Sequence, residues 1–93
     1  MLTFKDLEFE GISYDLSGSG VRAYVQFDNG YYISVVKGPL TYGGPEGLYE
    51  AAVLDRNGSI TYATPVTDDV IGHLTEEGVT DVMRQIQELS PAE

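Results

Sequence analysis

The sequence predicts an α+β fold: an antiparallel, mainly meandering sheet of four to six strands, with a C-terminal amphipathic helix packed on one face. Short segments rich in valine, isoleucine and tyrosine alternate with turn sequences through most of the chain. Apolar residues at helical spacing then occupy its end. Because 93 residues suffice for one core, residues 1–93 are interpreted as a single α+β domain.

The N-terminal segment is expected to form the first edge of the sheet. In residues 2–9 the apolar positions change phase between Phe4 and Leu7, which suits a strand with a bulge or two short strand pieces. Glu-Gly at residues 10–11 predicts a turn, and residues 12–16 predict an edge strand.

A hairpin with a strong turn signal follows. Residues 21–27 alternate apolar and polar positions, as a strand with one buried face does. The Asp-Asn-Gly sequence at residues 28–30 tolerates the positive φ angles of tight hairpin turns. Residues 31–37 are the returning strand, and their apolar residues on both faces indicate either a central strand covered on both sides or a strand with an exposed aromatic patch.

Residues 38–47 form a connection rich in glycine and proline, longer than most hairpin loops. Such loops often carry binding residues, and Tyr42 at its middle is the candidate contact residue. The alternative is a plain connector across the end of the sheet.

A second hairpin is predicted from residues 48–54 and 60–64, with a turn at 55–58 and a stop at Pro65. Residues 66–72 then have the threonine-and-acid start and the glycine end of a one-turn helix. Thr75 is expected to cap the last helix. That helix has an apolar stripe that should lie on the sheet: Val79, Val82, Met83, Ile86 and Leu89.

The chain carries 15 acidic and five basic residues, a formal charge of −10. This charge repels phosphate backbones and anionic lipids, so neither direct nucleic-acid binding nor membrane binding is expected. No apolar run approaches the ~20 residues that span a bilayer, and the first residues do not have the pattern of a signal peptide. The expected location is therefore the cytoplasm.

No arrangement of residues predicts an enzyme, a cofactor or a metal centre. The chain has no cysteine, and its one histidine, His73, is interpreted as an exposed residue at a helix end. Asp68 and Asp69 with Glu76 and Glu77 have the chemistry for Ca²⁺ or Mg²⁺ but not the spacing of a calcium loop, and helix capping explains them as well. The glycine-serine loop at residues 17–20 has neither the lysine nor the following helix of a phosphate cradle.

The acidic residues near the C-terminus are the candidate partner-binding surface. It comprises Asp68, Asp69, Glu76, Glu77 and Asp81, joined by Glu46 and Glu50, with Tyr42 as an aromatic contact. Carboxylates placed like phosphates can compete with DNA or RNA for a basic protein site. A surface kept acidic only for solubility explains the same charges. Tyrosines on the sheet face away from the helix are a further candidate interface, although strand packing also explains them.

Three motifs resemble a family of small, mostly uncharacterised acidic proteins from tailed bacteriophages. They are F-D-N-G-Y at residues 27–31, E-G-L-Y-E-A-A-V-L-D at 46–55 and T-P-V-T-D-D-V-I-G-H-L-T at 64–75. The motifs consist of turns, strand ends and caps, so the resemblance assigns no binding residue. It implies a setting in which short acidic proteins inhibit host or defence machinery, as anti-CRISPR and anti-restriction inhibitors do, some of them as DNA mimics.

The expected function is therefore non-enzymatic binding and inhibition of a host or anti-phage defence protein that has a basic surface. The alternatives are a small-ligand module, such as a sponge for a nucleotide signal, and a phage structural or assembly protein. Convergence of Arg22, Lys37 and Arg56 in one pocket would favour the ligand module. The sequence is compatible with a monomer or a homodimer.

Overall fold

The computed structural model describes residues 1–13, 18–66 and 70–92. In that part of the chain, five strands form one antiparallel meander in the order β1-β2-β3-β4-β5, and a helix packs on one face. The predicted α+β fold is confirmed. The elements are β1 (Glu10–Ser13), β2 (Ser19–Gln26), β3 (Tyr32–Lys37), β4 (Tyr49–Leu54), β5 (Ile71–Leu74) and α1 (Glu76–Gln87).

Helix α1 begins at the predicted cap. The Thr75 side-chain oxygen accepts a hydrogen bond from the Gly78 N–H at 3.1 Å, which satisfies one of the donors left free in the first turn. The predicted stripe is buried: Val79, Val82, Met83 and Ile86 are at most 5 % exposed, and Leu89 is partly buried. The helix is therefore fixed to the sheet along its whole length.

The inner face of the sheet supplies the other half of the core. Strand register places Val35 between Ala23 and Ala51, and Ile33 between Val25 and Val53. Ile33, Val35 and Val53 are at most 1 % exposed beneath α1. The alternation predicted for residues 21–27 agrees with the burial pattern of β2. The returning strand predicted at residues 31–37 is β3, which lies at the centre of the strand order.

The predicted turn at residues 28–30 is present and has a second role. Phe27 N–H donates to the Tyr31 carbonyl at 2.8 Å, and Gly30 has a φ of 97° that favours glycine. The Asn29 side-chain amide donates to the carbonyls of Ile86 and Leu89 at 2.8 and 3.2 Å. The hairpin turn therefore caps the C-terminal end of α1.

The strand predicted for residues 2–9 is wrong. Phe4–Asp6 is a 3₁₀ turn, which explains why the apolar phase changes between Phe4 and Leu7. The backbone of the segment is hydrogen-bonded to α1: Phe4 N–H donates to the Thr80 hydroxyl at 3.0 Å. The turn predicted at residues 10–11 is also wrong, because both residues belong to β1. The predicted edge strand is confirmed for residues 12–13, and residues 14–16 lie outside the described part.

The predicted strand at residues 60–64 is wrong as well. Its turn at 55–58 forms, but residues 60–64 form isolated bridges instead of a strand, at Ile60 opposite Leu54 and at Thr64. The Thr61 N–H also donates to the Val53 carbonyl at 2.9 Å. The reason is that β5 occupies the edge of β4, with Ile71 opposite Ala51.

The short helix predicted for residues 66–72 is contradicted at its end. Ile71 and Gly72 lie in β5, where Ile71 packs against the core. Residues 67–69, which were to form the first turn, lie outside the described part. His73 is consequently a strand residue and does not lie at a helix end.

Within the described ranges, no helix is both long and apolar enough to cross a bilayer.

Replacing Ile86 by alanine should lower the free energy of unfolding by about 2–5 kcal/mol, because it leaves a cavity beneath α1. Equilibrium urea unfolding measures the loss. Ile60→Ala is the matched control, since Ile60 is 50 % exposed, and it should change the free energy by less than about 0.5 kcal/mol. Equal losses in the two variants would contradict the proposed packing of α1.

Candidate interaction surface

The connection at residues 38–47 is a closed loop. The Thr41 hydroxyl accepts from the Gly38 N–H and donates to the Gly38 carbonyl, both at 3.0 Å. Gly44 N–H donates to the Thr41 carbonyl at 3.1 Å, and Leu48 N–H to the Gly43 carbonyl at 2.9 Å. A side chain at Gly44 would overlap the Gly38 carbonyl oxygen. The glycines of this connection allow the backbone to fold tightly on itself.

The loop is also bound to the edge of the sheet. His73 N–H in β5 donates to the Tyr42 carbonyl at 3.1 Å, and Tyr42 N–H donates to a Glu50 carboxylate oxygen at 3.1 Å. His73 has a φ of 56°, an unusual angle for a residue other than glycine. The register of β4 and β5 shifts between Tyr49 and Ala51, near this position. The loop therefore covers the β5 edge of the sheet.

Two large apolar side chains project from this fixed loop. Leu40 is 69 % exposed and Tyr42 is 64 % exposed, while Thr41 between them is used inside the loop. Exposed apolar residues are common singly, but a pair on a rigid loop is a feature of binding surfaces. The sequence analysis predicts Tyr42 as a contact residue but not Leu40. The signal that could have indicated Leu40 is its position as a single leucine within a connection rich in glycine and proline.

Four glutamates lie at the same end of the sheet as this loop. Leu74, which pairs with Tyr49, is separated from α1 only by Thr75. This pairing brings the start of the helix next to the start of β4. We name as the acidic loop surface the residues Leu40, Tyr42, Glu46, Glu50, Glu76 and Glu77.

The surface is negative although two lysines lie nearby. Glu76 and Glu77 are exposed in the first turn of α1, and Lys5 lines a shallow groove beside them. The Lys37 ammonium group lies 4.7 Å from the centre of the Tyr49 ring, an arrangement in which the ring stabilises the cation. Four carboxylates and two ammonium groups thus lie at this end of the sheet.

Of the other predicted acidic residues, Asp81 is not part of this group. Asp81 lies one turn further along α1, where its carboxylate accepts from Arg84 at 2.5 Å and from Gln85 at 3.0 Å. The hydrogen bond from Arg84 holds the pKa of Asp81 below its usual value, so this carboxylate stays charged but has an internal partner. Asp68 and Asp69 lie outside the described residues.

The cations do not converge, which removes the main support for a site that binds an anionic ligand. Arg22 pairs with Glu10 at 2.9 Å on the outer face of the sheet, whereas Lys37 lies over Tyr49 on the inner face. Arg56 donates to the Ala92 carbonyl at 3.2 Å, at the opposite end of the molecule. Among the described residues, no group of three or more histidine, aspartate or glutamate side chains is placed to hold a metal ion.

The four predicted strand tyrosines separate into three environments. Tyr24 and Tyr32 lie on the outer face of the sheet, as their register shows. Tyr49 instead packs edge-on against Phe4, with ring centres 5.1 Å apart, under the N-terminal segment. Tyr62 lies outside the strands and is 52 % exposed.

Comparison of the chain with protein-family models, curated proteins and solved structures finds no match.

Replacing Gly44 by alanine should destabilise the loop, because the new methyl group and the Gly38 carbonyl oxygen cannot occupy the same space. We expect a loss of about 1–3 kcal/mol in the free energy of unfolding, with faster amide exchange at Tyr42 and His73. Gly11→Ala is the control, since no atom lies within 4 Å of its added methyl group. Unchanged exchange in the Gly44 variant would show that the loop is not closed as described.

Proposed function

We propose that the protein is a non-enzymatic binding protein whose acidic loop surface occupies a basic site on a partner protein. The observation that carries this proposal is the pair Leu40 and Tyr42, exposed on a hydrogen-bonded loop that is bound to the Glu50 carboxylate. Three further glutamates lie at the same end of the sheet: Glu46, Glu76 and Glu77. The apolar pair supplies the buried centre of an interface, and the glutamates supply its charged rim.

The rigidity of the loop supports binding over a role in solubility alone. An acidic surface kept for solubility needs no exposed leucine and tyrosine, and large exposed apolar residues lower solubility. A loop already fixed by Thr41, Glu50 and His73 loses little conformational freedom when it binds. The arrangement therefore favours affinity at a defined site.

The charge favours a partner that normally binds nucleic acid. A net charge of −10 on 93 residues speeds association with basic surfaces. Carboxylates seated in such a site would exclude phosphates by occupying the same cationic groups. On this proposal the protein inhibits its partner by competition, as a nucleic-acid mimic does.

The resemblance to small phage proteins supplies the setting for the proposal. A host or anti-phage defence protein, including CRISPR or restriction machinery, is the partner class that we propose, and the host cytoplasm is the place of action. Asp68, Asp69 and Asp81 would add to the attraction at longer range.

Tyr42→Ala should weaken capture of the partner roughly 10- to 100-fold, because interface aromatics of this kind contribute about 1.4–2.8 kcal/mol or more. The tagged protein is used for affinity capture from nuclease-treated bacterial lysate, and the retained protein is then titrated in pure form. Tyr62→Ala is the matched control, with a similarly exposed tyrosine outside the surface. Equal loss in both variants, or none in either, contradicts the proposed site.

Replacing Glu76 and Glu77 together by glutamine should slow association with the same partner severalfold at low salt. The difference should shrink at high salt, because salt screens exposed charges within about 10 Å at 0.1 M. Stopped-flow or surface-binding kinetics measure the rates. Glu88→Gln serves as control for a charge removed elsewhere on α1. A partner that keeps binding its nucleic acid at saturating inhibitor would refute the mimicry part of the proposal.

A further inference from the structure

The two edges of the sheet differ in whether another segment is bound to them. The β5 edge is covered by the loop at residues 38–47, through the bond from His73 N–H to the Tyr42 carbonyl, and its register is irregular. The β1 edge is regular: all four of its residues pair with β2, from Glu10 opposite Arg22 to Ser13 opposite Ser19. No strand in the described ranges pairs with the other side of β1.

An open edge offers a row of backbone donors and acceptors. In an antiparallel pair, alternate residues direct both N–H and C=O away from the partner strand. Of Gly11 and Ile12, one therefore faces β2 and the other faces outward. Another extended chain is the ligand that satisfies such a row. We propose that the β1 edge accepts an extended basic segment of a partner protein as a sixth strand of the sheet.

Charge selects a basic segment over a second copy of this chain. Two copies with a charge of −10 repel each other, and pairing their β1 edges would add Glu8 and Glu10 of both copies to one interface. Both glutamates are exposed. Like charges across paired strands are destabilising, and charged edge residues prevent self-association. A segment with lysine or arginine would instead be attracted by these glutamates, because opposite charges across paired strands are stabilising.

The side chains of β1 specify the pattern of the segment. Glu10 and Ile12 share the outer face of the sheet, where Ile12 is half-buried. The Glu10 carboxylate binds Arg22 through one oxygen, at 2.9 Å, and is still 63 % exposed, so it can accept a second basic group. An incoming strand places residues two positions apart beside these two. The matching segment therefore has a basic residue and an apolar residue separated by one position. Gly11 between them has open space where a side chain would begin, so a bulky residue fits opposite it.

The test uses the full chain and a short synthetic peptide in which lysine and valine share one face and threonine occupies the other. We expect saturable binding, with amide shift changes and exchange protection confined to residues 10–13. The same peptide N-methylated along its pairing edge should bind at least about tenfold more weakly, because it lacks the donors. A peptide with glutamate for lysine should also bind more weakly. Equal binding of the N-methylated peptide, or shift changes at the acidic loop surface only, would overturn the proposal.

Proline variants separate pairing from folding. Gly11→Pro and Ile12→Pro each remove one backbone N–H. The proline that replaces an outward-facing N–H is tolerated at an edge strand, whereas the proline that replaces an N–H facing β2 disrupts strand pairing. The variant that keeps the wild-type urea midpoint should lose peptide binding, whereas Glu88→Gln should retain it. Retained binding in the stable proline variant would refute the proposal. A concentration-dependent dimer that the same proline variant abolishes would also refute the proposal, because a second copy of the chain would then be what pairs with the β1 edge.

Discussion

The burial of one helix stripe against one sheet face is the constraint on which the rest of this structure depends. Val79, Met83 and Ile86 have no measurable exposure, and neither do Ile33 and Val35 beneath them. A chain of this size has one core, so every other segment must attach to that helix or to that sheet. The N-terminal segment attaches to α1 through Thr80 and Gln87, and the turn at residues 28–30 attaches to the helix end.

The elements that could be predicted from the sequence are those in which the local residue preferences and the tertiary packing favour the same structure. The strand at residues 21–27, its turn and the cap at Thr75 each combine residue preference with a burial pattern of the same period. The errors occur where the local residue preference favours one structure and a segment distant in the sequence occupies the position that this structure would need. Residues 60–64 look like a strand, but the edge of β4 is taken by β5.

The placement of β5 also determines how much of the interaction surface could be predicted. Five residues of this surface are predicted from their chemistry: Tyr42, Glu46, Glu50, Glu76 and Glu77. The pairing of Tyr49 with Leu74 is what places the last two at the same end of the sheet as the loop. Gly72 was interpreted as a helix end, and that interpretation hid this pairing. Neither the partner that Arg84 provides for Asp81 nor the exposure of Leu40 can be deduced from residue spacing, because both depend on where the helix and loop lie.

The net charge connects the loop surface and the open strand edge. A small protein with an exposed leucine and tyrosine and an open edge has two routes to self-association. Mutual repulsion between copies opposes both routes without covering either feature. On the proposed function, the same charge attracts a basic partner, so it leaves these surfaces accessible to the class of partner that complements them. A charge that also maintains solubility would in this way determine which partner binds.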